Sequence, residues 1–283
     1  MSFVENDCLV CPIDKLPLTR RDNCLRCESG HSFDIARQGY VNLLLANEKR
    51  SRDPGDSKQM VNARSHFLDA GHYAGLADKL FELLAGLSKH KSVIVDAGCG
   101  EGYYLKYLYD RLSNTDLGST TLLGYDISKW AVQAAARRFP ATWLVASNRN
   151  IPLRSQSVDM LLSLFGFPAY ESFRNVLKKD GILIVANAGP RHLIELREVI
   201  YPTVNVSDSG ELAQAMATGF TLVESSAVQY SIPSLSQAEI SQLLLMTPHL
   251  FRASREGRAK AQSLKTISLS VDVALHVLRN SAD

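Results

Sequence analysis

The chain of 283 residues predicts an α/β protein in two parts: a small N-terminal zinc-binding domain, and a larger domain built on a mostly parallel sheet with helices on its faces. Three observations carry the prediction. Four of the five cysteines fall within the first 27 residues, as Cys8-x2-Cys11 and Cys24-x2-Cys27. Beyond Tyr73 short apolar runs alternate with amphipathic helical stretches, the rhythm of βαβ units. A glycine-rich turn, Asp96-Ala97-Gly98-Cys99-Gly100-Glu101-Gly102, joins the first of those strands to its helix.

Composition sets the outer limits. Hydrophobic residues make up 46% and charged residues 21%, a mix that suits a globular core and excludes disorder and collagen-like repeats. No apolar run approaches the ~20 residues of a membrane span. The start, Met1 to Asp7, lacks the basic end and apolar middle of a secretory signal, so a cytoplasmic protein with no membrane partner is expected. A formal charge of +2 does not by itself argue for nucleic acid, since phosphates need only a local basic patch.

In a reducing compartment, cysteine pairs at this spacing are metal ligands rather than disulfides, because a two-residue spacer lets a tight turn aim both sulfurs at one ion. His31 follows Cys27 at C-x3-H spacing, so Cys8, Cys11, Cys24, Cys27 and His31 offer more ligands than one tetrahedral zinc uses. The segment holds Pro12, Pro17 and Gly30 and few large apolar residues, too few for a core of its own without metal. The plainer alternative is a loosely ordered leader with free thiols.

From Phe33 to Tyr73 the chain is polar and broken by Pro54 and Gly55, and reads as a loop or linker. Between Lys49 and His66 five basic residues (Lys49, Arg50, Arg52, Lys58, Arg64) outnumber the acidic Asp53 and Asp56, an excess that suits phosphates or simply solvates a linker. Strands are expected at 93–95, 122–125, 142–146, 158–164 and 182–186, and helices at 103–112, 129–139 and about 171–177. Strict alternation from Ile267 to Val277 predicts a long antiparallel strand at or near the sheet edge.

Glycines in a strand-to-helix turn let a ligand approach the backbone. The dinucleotide fingerprint places its third glycine three positions after the second, whereas here it follows after two. The compact D-x-G-x-G-x-G run, Asp96 through Gly102, resembles motif I of class I methyltransferases that use S-adenosylmethionine, with a Rossmann-like sheet. The next strand ends in Asp126, 30 residues after Asp96, where a carboxylate can accept hydrogen bonds from both ribose hydroxyls; strand-end carboxylates also cap helices. Asn148 follows the third strand, where this fold contacts adenine. Phe165-Gly166-Phe167-Pro168 follows the fourth, where methyl acceptors are held, so its aromatics either stack on a flat acceptor or join the core. The Asn-Pro-Pro-Tyr run of amino-group methyltransferases is absent, which weighs against an exocyclic adenine target.

The sequence resembles the family of 23S ribosomal RNA (guanine-N1)-methyltransferases with an N-terminal zinc-binding domain. The resemblance rests on Gly30 to Asp34, Gly39 to Leu44, Lys49 to Asp56, Phe67 to Tyr73, Asp96 to Tyr104, Gly189-Pro190-Arg191-His192-Leu193, and Met246-Thr247-Pro248 with Arg252. It implies a zinc domain over 1–35, a linker with a basic RNA-contacting segment over 36–73, and a methyltransferase domain over 74–283. It also implies methyl transfer from S-adenosylmethionine to guanine N1 in a hairpin loop of 23S rRNA, and a homodimer. It assigns Tyr73, Gly100, Glu101 and His192 to the cofactor pocket, beside Asp96, Gly98, Gly102, Asp126 and Asn148. The family's C-P-x-C, then C-x3-H pattern falls on Cys11, Asp14, Cys27 and His31, with Asp14 where a cysteine is expected. Either Asp14 supplies an oxygen, or Cys8 or Cys24 completes the site, or zinc is lost; thiolate suits zinc better, which favours Cys8 or Cys24. Motif IV departs too, with its proline one place late. Asp53, Asp56 and Asp69 are candidate bases, none assigned. Two other functions compete: a small-molecule methyltransferase, and a catalytically silent RNA-binding or assembly protein on the same fold.

Overall fold

The computed structural model describes residues 3–49, 51–88, 91–204 and 210–281; Arg50 of the basic segment lies outside them. A three-stranded antiparallel sheet, β1 (Thr19–Arg21), β2 (Cys24–Arg26) and β3 (Ser32–Asp34), forms the N-terminal ribbon. The main sheet has eight strands. Its parallel centre comprises β5 (Val93–Ala97), β6 (Thr121–Asp126), β7 (Thr142–Val145), β8 (Val158–Leu164) and β9 (Leu177–Ala188). One edge is β4 (Tyr40–Asn42), and the other side is completed by β10 (Phe220–Ser236) and β11 (Thr266–Asn280), in the order β10-β11-β9-β8-β5-β6-β7-β4. The chain runs from β5 outward through β6 to β7, then returns to place β8 on the other flank of β5. That reversal opens a crevice at the carboxyl ends of β5 and β8, where open α/β sheets bind ligands.

Alternation along the central strands assigns each side chain to a face. Ile94, Met160, Leu162 and Ile184 point into one core, and Val95, Leu161, Leu183 and Val185 into the other. The first face is covered by α2 (Ala74–Leu87), α3 (Tyr103–Leu112) and α4 (Lys129–Ala135), with α1 (Lys58–Asp69) beside them. Helix α2 buries Leu76, Ala77, Leu80, Leu83 and Leu84, a single stripe at helical spacing. The second face is covered by α5 (Tyr170–Val176) and α7 (Glu211–Ala217), and by the N-terminal ribbon itself: Leu9, Leu18, Leu25 and Cys27 pack with Val95, Leu123 and Leu144. Backbone bonds from Val10 N to Pro152 O (3.0 Å) and Arg154 N to Cys8 O (2.7 Å) fasten it there. Helices α6 (Ile194–Ile200), α8 (Gln237–Met246), α9 (His249–Arg252) and α10 (Arg255–Ser263) complete the C-terminal half.

The stretch read as a linker is instead part of the body. Tyr40, Val41, Leu43 and Leu44 form an apolar run too long to leave in water, and they are buried as β4 extends the sheet beside β7. Past Gly55, Ser57 caps α1 by accepting from Met60 N (3.3 Å), and Phe67 and Leu68 enter the core. Strand β11 lies one place in from the edge, antiparallel to both neighbours. The edge is β10, whose exposed polar residues hide its period in the sequence. Among the described residues no helix is long and apolar enough to cross a membrane.

Gly124 in β6 shows how tightly the first face is packed: a Cβ there would lie 2.4 Å from Trp143 Cζ3 and 2.9 Å from Leu105 Cδ1. Trp143 is fully buried and cannot retreat. Gly124→Ala is expected to lower stability by about 1–3 kcal/mol through overpacking, seen as an earlier denaturant midpoint. An unchanged midpoint would mean that Trp143 has room to move.

Candidate functional site

At the end of β5 the backbone enters the left-handed region three times, with φ of +83° at Gly98, +55° at Gly100 and +82° at Gly102, a path that glycine takes without strain. Gly98 N and Cys99 N both donate to Tyr125 O, at 2.8 and 3.0 Å, which folds the loop across to β6. Gly102 is also sterically required, since a Cβ would lie 2.9 Å from both Ala135 Cβ and Trp143 Cη2. Asp126, at the end of β6, closes the loop: Oδ2 accepts from Gly100 N (3.0 Å) and Oδ1 from Ser128 N (2.8 Å).

Three carboxyl groups converge on this loop. Asp96 and Glu101 are buried, and burial raises the pKa of each. Asp96 is pushed up to about 8, first by burial and then by the charges of Asp126 and Glu101. Burial also raises Asp126, against the two N–H donors that favour its charged form. Asp96 Oδ1 and Glu101 Oε1 have no hydrogen-bond partner among the described residues. Two guanidinium groups oppose this negative charge. Arg64 of α1 pairs with Asp56 and donates to Met246 O (3.1 Å), and Arg138 lies 3.5 Å from Glu101 Oε1. A buried Asp96 oxygen without a partner, beside the Glu101 and Asp126 carboxyl groups and a glycine loop that lets a ligand approach, suits a ligand that carries both cationic and hydroxyl groups. S-adenosylmethionine, the cofactor of this domain, meets that description with its ammonium, sulfonium and ribose.

Across the crevice, Tyr73 Oη lies 3.0 Å from His192 Nε2, and His192 Nδ1 accepts from Asp272 N (3.3 Å). Burial lowers the His192 pKa to about 4, so the ring is neutral near pH 7; because Nδ1 accepts, the proton sits on Nε2 and is donated to Tyr73 Oη. The Asp272 carboxylate holds the preceding turn by accepting from Arg191 N (2.9 Å) and Gln229 Nε2 (2.9 Å). Phe165 stacks on His192 at 5.8 Å between centroids and meets Tyr73 edge-on at 6.1 Å. Asn148 Nδ2 donates to Phe167 O (2.8 Å), which ties the loop after β7 to the loop after β8. The structure therefore gathers Tyr73, Asp96, the three glycines, Glu101, Asp126, Asn148 and His192 along one crevice. Sequence reasoning missed Arg64, Arg138 and Asp272; Asp272 falls on the polar side of the β11 alternation, so nothing in the sequence marks it as buried.

The metal centre lies in the ribbon. Cys11, Asp14, Cys27 and His31 bring one ligand atom each to within 4.8 Å of one another. His31 Nδ1 is 3.5 Å from Cys11 Sγ, 3.4 Å from Cys27 Sγ and 3.0 Å from Asp14 Oδ2, and Cys27 Sγ is 3.4 Å from Asp14 Oδ2. Tetrahedral zinc spaces such donors about 3.3–3.8 Å apart, so two thiolates, an imidazole and a carboxylate fit the ion. The expectation that Cys8 or Cys24 completes the site is corrected. Cys8 Sγ points to Ser157 O (3.8 Å) beneath the ribbon, and Cys24 Sγ to Arg21 O (3.2 Å) on β1. The turn from Cys11 to Leu16 carries Asp14 to the position instead, steadied by Leu16 N donating to Asp14 Oδ1 (3.1 Å).

The three candidate bases part company. Asp56 is paired with Arg64, and Asp69 with Arg138 at 2.7 Å, while Asp53 is exposed. Arg64 is likewise removed from the basic segment, because its charge is spent on Asp56 and the glycine loop.

Replacing Asp14 tests the metal assignment. Asp14→Ala is expected to weaken zinc retention against a chelator by at least about tenfold, whereas Asp14→Cys retains the ion and adds a third thiolate to the absorption of the cobalt-substituted protein. Equal zinc retention in Asp14→Ala and the wild type would show that Asp14 is no ligand.

A zinc-ribbon family profile described as "RlmA, N-terminal" matches residues 9–52, and a "Methyltransferase domain" profile matches residues 94–181. The chain is 35% identical over 225 residues to the 23S rRNA (guanine(748)-N(1))-methyltransferase of Streptomyces fradiae, with 76% of each chain covered. It is 31% identical over 256 residues to YxjB of Bacillus subtilis (strain 168), with 87% of each covered, and 36% identical over 208 residues to a protein of Micromonospora griseorubida, covering 66% of this chain and 68% of that one. Both of these carry provisional names of the same class. With a zinc ribbon folded onto a methyltransferase sheet and this identity across most of its length, the chain belongs to the 23S rRNA (guanine-N1)-methyltransferase family.

Proposed function

We propose that the protein transfers a methyl group from S-adenosylmethionine to N1 of a guanine in a hairpin loop of 23S rRNA. The observation that carries this reading is the joining of the family's zinc ribbon to a carboxylate-lined cofactor crevice on one sheet, in a chain 35% identical to the Streptomyces fradiae enzyme. The cytoplasm supplies both substrates.

The cofactor, when bound, supplies an electrophilic methyl group on sulfur. The residues of the chain bind and orient. Asp126 accepts from the ribose hydroxyls, and the Gly98, Gly100 and Gly102 backbone lets the ligand lie against the loop. Asp96 and Glu101 face its cationic end, and Tyr73 with His192 walls the opposite side. Asn148, with Nδ2 committed to Phe167 O, keeps Oδ1 as an acceptor that would suit the exocyclic amine of adenine. His192 stays neutral in this role, which keeps a second cation away from the sulfonium. As the N1–methyl bond forms and the sulfur–methyl bond breaks, the N1 proton passes to water, and alignment of the guanine nitrogen with the methyl group provides most of the acceleration. A base in a hairpin loop leaves its stack more cheaply than one in a duplex. In domain terms, residues 1–35 are the ribbon and 74–283 the methyltransferase, with 36–73 joined to the latter through β4 and α1.

Purified protein with labelled cofactor and unmodified 23S rRNA should yield 1-methylguanosine on nucleoside analysis. Because N1 methylation removes a Watson–Crick donor, reverse transcriptase should stop one nucleotide before the modified guanine, and replacing that guanine should abolish incorporation. Label in N6-methyladenosine, 5-methylcytidine or a small metabolite would overturn the substrate assignment.

A further inference from the structure

We propose that Phe167 is the platform on which the target guanine stacks during methyl transfer, an inference that rests on the proposed function. Phe167 is 88% exposed, more than any other large apolar residue described. Its loop follows β8 at the crevice where the sheet order reverses, and a Cβ on Gly166 would lie 3.8 Å from Ala97 O at the end of β5. The ring therefore stands at the rim of the cofactor crevice rather than on a remote surface.

The backbone beneath the ring is pinned on both sides. Phe165 N donates to Ala186 O (2.8 Å), and Phe167 O accepts from Asn148 Nδ2 (2.8 Å). Phe165 takes φ +55°, a left-handed conformation that is uncommon for an aromatic residue. That kink sends the two rings of Phe165-Gly166-Phe167 to different destinations. Phe165, 40% exposed, lies over His192 and lines the wall of the pocket. Phe167 is left in water at a fixed place, where nothing in the fold gains from an apolar ring.

Two rings, one of them held against His192, do not make a protein-docking patch, which needs a larger contiguous apolar area. Its neighbourhood is polar, with Asn148 bonded to its carbonyl and Arg149 exposed beside it. Such a ring suits a flat aromatic ligand with a polar edge. A splayed nucleobase has that form: its face meets the ring while its edge turns toward the methyl donor.

The test compares Phe167→Ala, Phe167→Leu and Phe167→Tyr on a 23S-derived hairpin carrying the modified guanine, alongside the same hairpin with 2-aminopurine at that position. Stacking predicts that Ala and Leu each lower kcat/KM by at least about tenfold, mainly through KM, while Tyr stays within about threefold. Affinity for S-adenosylhomocysteine should be unchanged in all three. Wild-type protein should quench the 2-aminopurine emission, and Phe167→Ala should leave it bright. Wild-type kcat/KM and quenching in the Ala and Leu variants would overturn the inference alone. Loss in Ala with retention in Leu would make the residue a spacer, and lost cofactor affinity would make the loop structural; either result overturns it. Absence of wild-type turnover on every ribosomal RNA would overturn the proposed function, and this inference with it.

Discussion

The Asp126 carboxylate holds the cofactor crevice in shape. With one oxygen on Gly100 N and the other on Ser128 N, it joins the glycine loop after β5 to the turn between β6 and α4. Ser128 extends the link, its Oγ donating to Asp56 O (2.6 Å), and Asp56 pairs with Arg64. Gly55 lies against the same turn, where a Cβ would sit 2.9 Å from Ile127 Cγ2 and Ser128 N. The start of α1 is thereby docked on the turn that follows Asp126. Burying a carboxylate is unfavourable, and the two N–H donors offset part of that cost, so its acceptor lone pairs are oriented before a ligand arrives.

The charge balance of the crevice follows from the same group. Asp126 and Glu101 add to the burial that raises the pKa of Asp96, while Arg64 and Arg138 favour the charged form of Glu101. A cation brought beside these buried carboxyl groups favours their charged forms and is favoured by them in turn. Methyl transfer turns the sulfonium into a neutral thioether, so carboxyl groups beside that sulfur would favour the donor over its product. On the opposite wall, the neutral His192 adds no opposing charge.

The zinc ribbon has a structural task that its spacing did not announce. A doubly wound sheet needs cover on both faces, and on the second face Leu9, Leu18, Leu25 and Cys27 of the ribbon share that task with α5 and α7. The metal thus orders a piece of the main core as well as a surface module. Much of this was legible: the central strands run as apolar alternations or short apolar runs, the glycine loop has its spacing, and Asp126 ends a strand. The rest was hidden for physical reasons. Strand β10 is an edge with little burial, so its sequence is rich in Ser and lacks a clean period. The Tyr40 to Leu44 strand was masked by polar neighbours on both sides. Asp14 was passed over because thiolates bind zinc more strongly, yet the backbone turn places Asp14, and not Cys8 or Cys24, beside Cys11, Cys27 and His31. Ligand chemistry ranks candidates; chain geometry decides which of them arrive.

The account depends most directly on Asp126, so calorimetric titration of Asp126→Ala with S-adenosylhomocysteine is its sharpest test. A variant that retains the wild-type melting profile is predicted to bind at least tenfold more weakly, since about 1.5–3 kcal/mol is lost for each charge-assisted hydrogen bond to the ribose. Wild-type affinity in a folded Asp126→Ala would contradict the account, because the crevice would then hold its ligand without the carboxylate that shapes it.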